Sequence, residues 1–509
     1  VEKVCSCSHC AAMPRLFAAA VAALTAISLL HASHTVWIPQ PGRNSLDSPL
    51  LSGRSLRRKP LLRGSRVALG QSQEPPNNGL EGMEPLPDLP EDAPESSEAE
   101  RTGETRLAKL VTRANHLVDG GAGTSLLLAS AVISMALANV NAARIPWLSF
   151  WNKPLGPAIG GHTLSVRAWI NEGLMALFFF NVGLEIKAEL TEGSLKSPSQ
   201  ALMPVVAALG GMVVPMLVYA AVNHVIPGGS FSGITIPMAT DIAFAMGVYQ
   251  AFRHHMPAAT GSFLLALATV DDLGAIVVIA TCFAGAICPT YLWASLGAMG
   301  LNCLNNLRGV GKSARSFFIP GILLWYFMLR SGLCADVAGV LTALCVPMYS
   351  RTGEEVVERL IKRWTPVCAL IILPLFALAN CAVSFGAGGS AMAASGAATS
   401  MAVPAGVFLG LLLGKPLGIF SFAWGTAKMG WGQLPPGMKA HHLGVVGILG
   451  AIGFTMCLFL IENSLTGHAA QFSKISVFVG SLLGAVLSGF FMSRLPRKSP
   501  STVKVAAVA

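Results

Sequence analysis

Two adjacent aspartates stand inside a long apolar stretch, where an ionisable side chain is unexpected. They are Asp271 and Asp272, in the segment LLALATVDDLGAIVVIA. Adjacent residues of a helix point about 100° apart, so one carboxylate can face a cavity while the other faces a neighbouring helix. Two carboxylates in a medium of low dielectric constant resist simultaneous ionisation, so a proton and a metal cation compete for them. Such competition is the minimal chemistry of an ion exchanger.

Four other ionisable residues lie in apolar stretches. Inserting such a residue at the centre of a membrane helix costs at least about 2.5 to 3.5 kcal/mol, so each one calls for a partner or a function. An alternative without transport is that the lysine only neutralises one aspartate and holds two helices together. One lysine cannot neutralise two aspartates, and the surplus acid favours transport. The four residues are Glu185, Asp241, Asp336 and Lys415.

Two of the segments near these charges are poor continuous helices. Pro237 stands four residues before Asp241, and Gly447, Gly450 and Gly453 crowd the segment GILGAIGFTM. Interrupted helices are tolerated at membrane depth only where the freed backbone groups are buried or line a wet cavity. If both segments break, Asp241 would neutralise the helix N-termini that face it, and a lysine the C-termini. A simple kink without function is the alternative for either break.

The composition identifies lipid as the solvent of most of the chain. Hydrophobic residues make up 53% and charged residues 12%, and the mean hydropathy is +0.60. A membrane helix needs roughly 20 apolar residues, and about twelve such runs are present. The predicted spans are 123–141, 167–187, 200–223, 233–251, 259–284, 288–305, 315–329, 332–347, 364–384, 402–425, 441–462 and 474–493.

The net charge of +10 has a distribution that fits membrane topology better than nucleic-acid binding. Lys and Arg concentrate on alternate loops, which predicts a cytoplasmic or stromal location for those loops. An even number of spans then places both ends of the membrane domain on that side.

Four regions are expected along the chain. Residues 1–70 resemble a signal and transit presequence, because an apolar stretch after Met13 is followed by a Ser- and Arg-rich segment. An uncleaved anchor with a basic tail is the alternative. Residues 71–112 have the composition of a disordered, acidic, Pro-rich linker, residues 113–495 form the membrane domain, and residues 496–509 are a short basic tail. The cysteines imply no disulfide framework, and a metal site at Cys5, Cys7 and Cys10 is disfavoured.

Six segments resemble the NhaA-type sodium/proton antiporters in sequence, order and spacing. The resemblance spans roughly residues 115–495. It implies an all-α integral membrane protein of about 12 transmembrane helices, built as an inverted repeat with two broken, crossing helices. The segments are WINEGLMALFFFNVGLEIKAEL, PMATDIAFAMGV, ALATVDDLGAIVVIA, LPLFALAN, LLLGKPLGI and VVGILGAIGFTM.

The resemblance also implies roles for individual residues. Asp272 would be the principal carboxylate for the cation and the proton, and Asp271 the second acid, paired with Lys415 in one state. The pair would bind the transported Na⁺, or Li⁺ in its place, in electrogenic exchange for a larger number of protons, serving pH and sodium homeostasis. No cofactor and no enzymatic activity are expected. Thr240 and Asp241 would lie at the crossing of the broken helices. Glu185 would line the approach funnel.

The sequence departs from the family pattern at positions around the core. Ala188 replaces the arginine of LEVKREL, and Cys334 replaces the histidine of SGVHATLAGV, with Asp336 following it. The segment RLIKRWTP, which contains Ile361, lacks the acidic and histidine residues usually found before LPLFA. We therefore expect a pH profile that depends mainly on the aspartate pair.

Other functions remain open. A potassium/proton exchanger or a sodium-coupled organic-anion symporter could use a related fold, although the two aspartates and the lysine favour cation exchange. An intramembrane prenyltransferase would need a second acidic cluster, and DDLGAIVV supplies none. The expected partners are membrane lipid and the transported ions, without nucleic acid, and a homodimer is allowed. The expected location is a membrane: the plastid inner envelope, the plasma membrane or that of another organelle.

Overall fold

The computed structural model describes residues 109–118, 120–159, 162–282, 288–307, 315–350, 353–384 and 401–496. The predicted presequence and nearly all of the linker and basic tail therefore lie outside the described residues, as do Cys5, Cys7 and Cys10. A helical segment at 109–118 precedes the helices that form the membrane domain. These are α1 Ala122–Asn139, α2 Asn141–Asn152, α3 Met175–Thr191, α4 Pro198–Val225, α5 Ile242–Phe252, α6 Ala259–Cys282, α7 Pro289–Leu307, α8 Arg315–Ser331, α9 Val337–Cys345, α10 Val356–Val367, α11 Leu373–Asn380, α12 Ala402–Leu409, α13 Lys415–Lys428, α14 Ala440–Gly450, α15 Phe454–Ser464 and α16 Gly467–Ser493.

The helices confirm a multi-pass membrane protein. In the described part of the chain, seven helical spans are long and apolar enough to cross a bilayer, and the bent pair α14 and α15 makes an eighth. Others are too short to count alone, such as α3 with 17 residues and α9 with 9. The number of about twelve stays a prediction. Every predicted span nevertheless coincides with one or more helices, because each is a continuous apolar run.

One region was not predicted. The segment between the first two predicted spans contains α2 and an antiparallel hairpin, β1 Pro154–Ile159 and β2 His162–Ser165. Trp169 anchors the hairpin, since its indole Nε1 donates to the backbone oxygen of Leu155 at 2.7 Å. The Gly-Gly pair between two short strands is a hairpin signal that could have been used.

Both segments predicted to be interrupted are broken. The first contains the 3₁₀ turns Phe231–Gly233 and Ile236–Met238, extended backbone from 239 to 241, and then α5. The second bends by 43° between α14 and α15. The breaks contact each other, because the backbone N–H of Asp241 donates to the oxygen of Ile452 at 2.7 Å. The freed backbone groups of one break thus find partners in the other.

Close packing of α4 on α13 fixes the position of the buried lysine. A Cβ at Gly418 would lie 2.1 Å from the backbone oxygen of Gly210, so only glycine allows this approach. Helix α4 also packs against α6, which carries the two aspartates. Lys415 is the first residue of α13, and this packing buries its side chain in the core beside α6.

Candidate ion-binding site

Asp271 is paired with the buried lysine. Its Oδ2 lies 2.9 Å from Lys415 Nζ, and both side chains are almost completely buried. Lys415 Nζ also donates to the backbone oxygen of Met238, at the end of the second 3₁₀ turn. The hydroxyl and backbone amide of Thr240 contribute to the surroundings of Asp271. The one positive charge of Lys415 thus serves one carboxylate and one buried carbonyl at the end of a helical turn.

Asp272 faces a different environment. It is buried, its Oδ1 has no hydrogen-bond partner among the described residues, and it lines a cavity of about 590 Å³. Asp271 is not part of this lining. The 100° between adjacent helical residues accordingly directs one acid to Lys415 and the other to the cavity.

The cavity extends from buried Asp272 to exposed Glu192 and carries further acids. Glu185 and Glu189 line it from α3, and Glu185 Oε1 accepts a hydrogen bond from Asn181 Nδ2 at 2.8 Å. Glu192 accepts a hydrogen bond from the hydroxyl of Tyr349, which raises the pKa of Tyr349 to about 12 and keeps that hydroxyl protonated as a donor. A row of carboxylates of this kind attracts cations.

Asp241 stabilises both broken helices. Its Oδ1 accepts from the backbone N–H of Phe244 at 3.0 Å, in the first turn of α5. Its Oδ2 accepts from the backbone N–H of Thr455 at 3.0 Å and from the Thr455 hydroxyl at 2.6 Å, in the first turn of α15. One carboxylate therefore satisfies two helix N-termini. Thr240 adds a bond from its hydroxyl to the oxygen of Gly450 at 3.3 Å.

Asp336 lies away from this group. It is buried at the start of α9, its Oδ1 has no hydrogen-bond partner among the described residues, and the Cys334 thiol lies 3.5 Å from its Oδ2. Glu172 is near enough to interact electrostatically with it. No group of three or more His, Cys, Asp or Glu residues in the described segments is arranged to hold a metal ion.

Two ionic features were missed from the sequence. Lys187 is fully buried, although LEIKAEL places it near the end of a span, where a lysine commonly reaches water. Lys474 was predicted as the first residue of a span, but α16 starts seven residues earlier, and Lys474 lies inside this helix in an ion pair with Glu462. Periodicity locates a helix but does not show which of its flanking charges the neighbouring helices cover.

The comparisons with known proteins agree on one family. The family model described as Na+/H+ antiporter 1 matches residues 115–492. A Na(+)/H(+) antiporter NhaA of Vibrio parahaemolyticus is 39% identical over 389 residues, covering 74% of this chain and 96% of the relative. A protein of the same name from Pasteurella multocida is 39% identical over 382 residues, covering 73% and 98%.

A solved sodium proton antiporter from Methanocaldococcus jannaschii aligns with 78% of this chain and 99% of its own, at 13% identity and a TM-score of 0.47. The family model covers nearly all of the described membrane domain, and both NhaA relatives exceed one third identity over almost their full length. The chain therefore belongs to the Na+/H+ antiporter 1 family.

Proposed function

We propose that this protein exchanges Na⁺ for H⁺ across a membrane, with Asp272 as the carboxylate that carries either ion. The observation that supports this most directly is the position of Asp272: buried, with a free carboxylate oxygen, in the lining of an acidic cavity. Relatives named as Na(+)/H(+) antiporters support the same activity. Li⁺ would replace Na⁺, and pH and sodium homeostasis would be the physiological role.

The exchange follows from the charge balance around the aspartate pair. When Asp272 is deprotonated, it binds the cation that arrives through the cavity, and when it is protonated, the cation is excluded. Asp271 remains neutralised by Lys415 in the conformation described here. A change in this ion pair during the cycle would let a second proton move, so more protons than sodium ions are exchanged and the transport is electrogenic.

The finer architecture is part of the proposal. The two broken segments would form the crossing at the centre of an inverted repeat of about twelve membrane helices. Lys196, in the loop after α3, and Arg359 and Lys362, in α10, lie near the cavity mouth. By the positive-inside rule, these basic residues favour a mouth on the cytoplasmic or stromal side.

The N-terminal segment is the basis for the membrane location that we propose. A presequence at 1–70 would direct it to the plastid inner envelope. Import into isolated plastids with and without residues 13–70 tests this address, and unchanged sorting after the deletion would exclude it.

Reconstitution into proteoliposomes tests the transport. Acid-loaded vesicles that contain a pH-sensitive dye would receive NaCl, LiCl, KCl or choline chloride outside, with the membrane voltage clamped. We expect proton efflux with Na⁺ and Li⁺ and none with choline. Efflux with K⁺ alone would indicate a potassium/proton exchanger, and sodium-dependent uptake of an organic anion without proton efflux would indicate a symporter.

A further inference from the structure

Two cysteines on different helices face each other away from the ion site. The sulfur atoms of Cys303 in α7 and Cys345 in α9 are 3.5 Å apart. The exposed fraction is 8% for Cys303 and 0% for Cys345. A disulfide brings two sulfur atoms to about 2.05 Å, so these thiols need only a small approach to form one.

A buried ammonium group lies beside this pair. Lys187 Nζ donates to the backbone oxygen of Leu344 at 2.7 Å and to that of Val346, the residues on either side of Cys345. Lys187 makes no ion pair with a carboxylate in the described part of the chain. Cys345 and Cys303 are both near enough to interact electrostatically with it. A cation in this position favours the thiolate, which is the reactive form of cysteine.

We propose that Cys303 and Cys345 form a peroxide-sensitive dithiol, activated by Lys187, whose oxidation restrains the helices beside the ion cavity. Cys303, the more exposed thiol, loses its proton and attacks one oxygen of hydrogen peroxide as the thiolate. The O–O bond breaks, the leaving hydroxide takes up that proton and departs as water, and Cys303 becomes a sulfenic acid. The Cys345 sulfur then attacks this sulfur and releases a second water. In sum, two thiols and H₂O₂ give one disulfide and two waters.

The disulfide would act on the ion pathway through packing. Helix α9 lies against α3 so closely that a Cβ at Gly339 would stand 2.0 Å from the backbone oxygen of Ala176. Helix α3 carries Glu185 and Glu189, which line the cavity. A covalent bond from α7 to α9 therefore limits the movement of the wall that α3 provides, and exchange between the two faces of the membrane should slow.

The test uses the full-length protein in proteoliposomes, treated with hydrogen peroxide. Peptide mass spectrometry after alkylation of the remaining thiols should find a Cys303–Cys345 peptide pair that has lost two hydrogen atoms. Sodium-driven proton efflux should fall several-fold and return after dithiothreitol. Cys303→Ser and Cys345→Ser should abolish both changes, whereas Cys381→Ser, at another buried cysteine, should leave them intact.

The role of Lys187 is tested separately. Lys187→Met should slow formation of the disulfide several-fold at a fixed peroxide concentration, and Lys187→Arg should largely preserve the rate. Peroxide treatment that yields no Cys303–Cys345 disulfide in folded protein would overturn the site, whatever the transport activity. A complete disulfide with unchanged exchange would overturn its effect on the ion pathway. Equal oxidation rates in Lys187→Met and the unmodified protein would exclude activation by Lys187.

Discussion

Asp271 and Asp272 have different contacts, and these contacts determine what each carboxylate can do. Asp271 has a counter-charge in Lys415, whereas Asp272 has no ion-pair partner among the described residues and lines the cavity. Each of them keeps one carboxylate oxygen without a hydrogen-bond partner in the described part of the chain. The pair is therefore asymmetric, and substitutions at the three residues should have separable effects.

Asp272→Asn should reduce sodium-driven proton movement to background. Asparagine keeps the size of the side chain but removes the charge and the titrating proton, so neither ion can be carried. Asp272→Glu, which keeps the acid, is the matched control and should retain measurable exchange. The assay is proton efflux from voltage-clamped proteoliposomes after thermal denaturation has shown normal folding. A folded Asp272→Asn protein that exchanges sodium at a normal rate would contradict the central role of this residue.

Lys415→Ala should act first on stability. Removing one partner of a buried ion pair costs about 3 to 5 kcal/mol, because the remaining charge is left without compensation. Asp271 should then be held neutral by a proton, so we expect a lower unfolding temperature and an altered number of charges moved per sodium ion. Thermal unfolding in detergent and the reversal potential of exchange measure the two effects. An unchanged unfolding temperature would mean that the pair contributes little to stability.

Cys334→His tests control of the pH profile. Cys334 contacts Asp336, and Glu172 lies nearby. A histidine side chain, unlike a cysteine, ordinarily gains or loses its proton near neutral pH. A histidine there would add a protonatable group beside two acids, so the midpoint of activity against pH should shift. Cys334→Ser, which adds no such group, serves as the control. If the histidine variant has the midpoint of the unmodified protein, this segment does not regulate transport.

The chain segments around the site could be predicted to different extents. The two interruptions were predictable because Pro237 and the glycines at 447, 450 and 453 are poor helix residues inside apolar runs. The partner of each freed backbone group could not be predicted, because the bond from Asp241 N to the oxygen of Ile452 joins segments more than 200 residues apart. Local sequence determines that a helix ends, whereas tertiary packing determines what satisfies its end.

Asp241→Asn should weaken the junction of the two broken helices. Asp241 accepts three hydrogen bonds, one from Phe244 and two from Thr455. The amide nitrogen of asparagine cannot accept at whichever carboxylate position it takes, so at least one of these buried donors loses its acceptor. An unsatisfied buried donor costs about 1 to 3 kcal/mol. Thr455→Ala removes only the hydroxyl and should cost less. Thermal unfolding of both variants provides the comparison. Equal losses of stability in the two variants would show that the bond to the backbone N–H of Thr455 does not depend on the charge of Asp241.

At the scale of the whole molecule, hydropathy predicted a multi-pass membrane protein, and each predicted span coincides with one or more helices because each is a long apolar run. What hydropathy could not show is which faces of the helices enclose a cavity. Ile361, for example, follows a polar stretch and yet lines the cavity together with Asp272. Such a shape depends on residues from α3, α5, α6 and α10 together, so no single segment predicts it.

The cavity predicts that ions reach Asp272 from one side of the membrane only. Ile361→Cys would place a thiol in the lining near the mouth, whereas Leu417→Cys, at an exposed position outside the lining, is the matched control. A membrane-impermeant, bulky thiol reagent applied to the cytoplasmic side of oriented vesicles should block sodium-driven proton efflux in the first variant and not in the second. Excess Na⁺ during labelling should slow the reaction by occupying the pathway. Block by reagent from the opposite side alone would reverse the proposed orientation, and full labelling without loss of exchange would separate this cavity from the ion pathway.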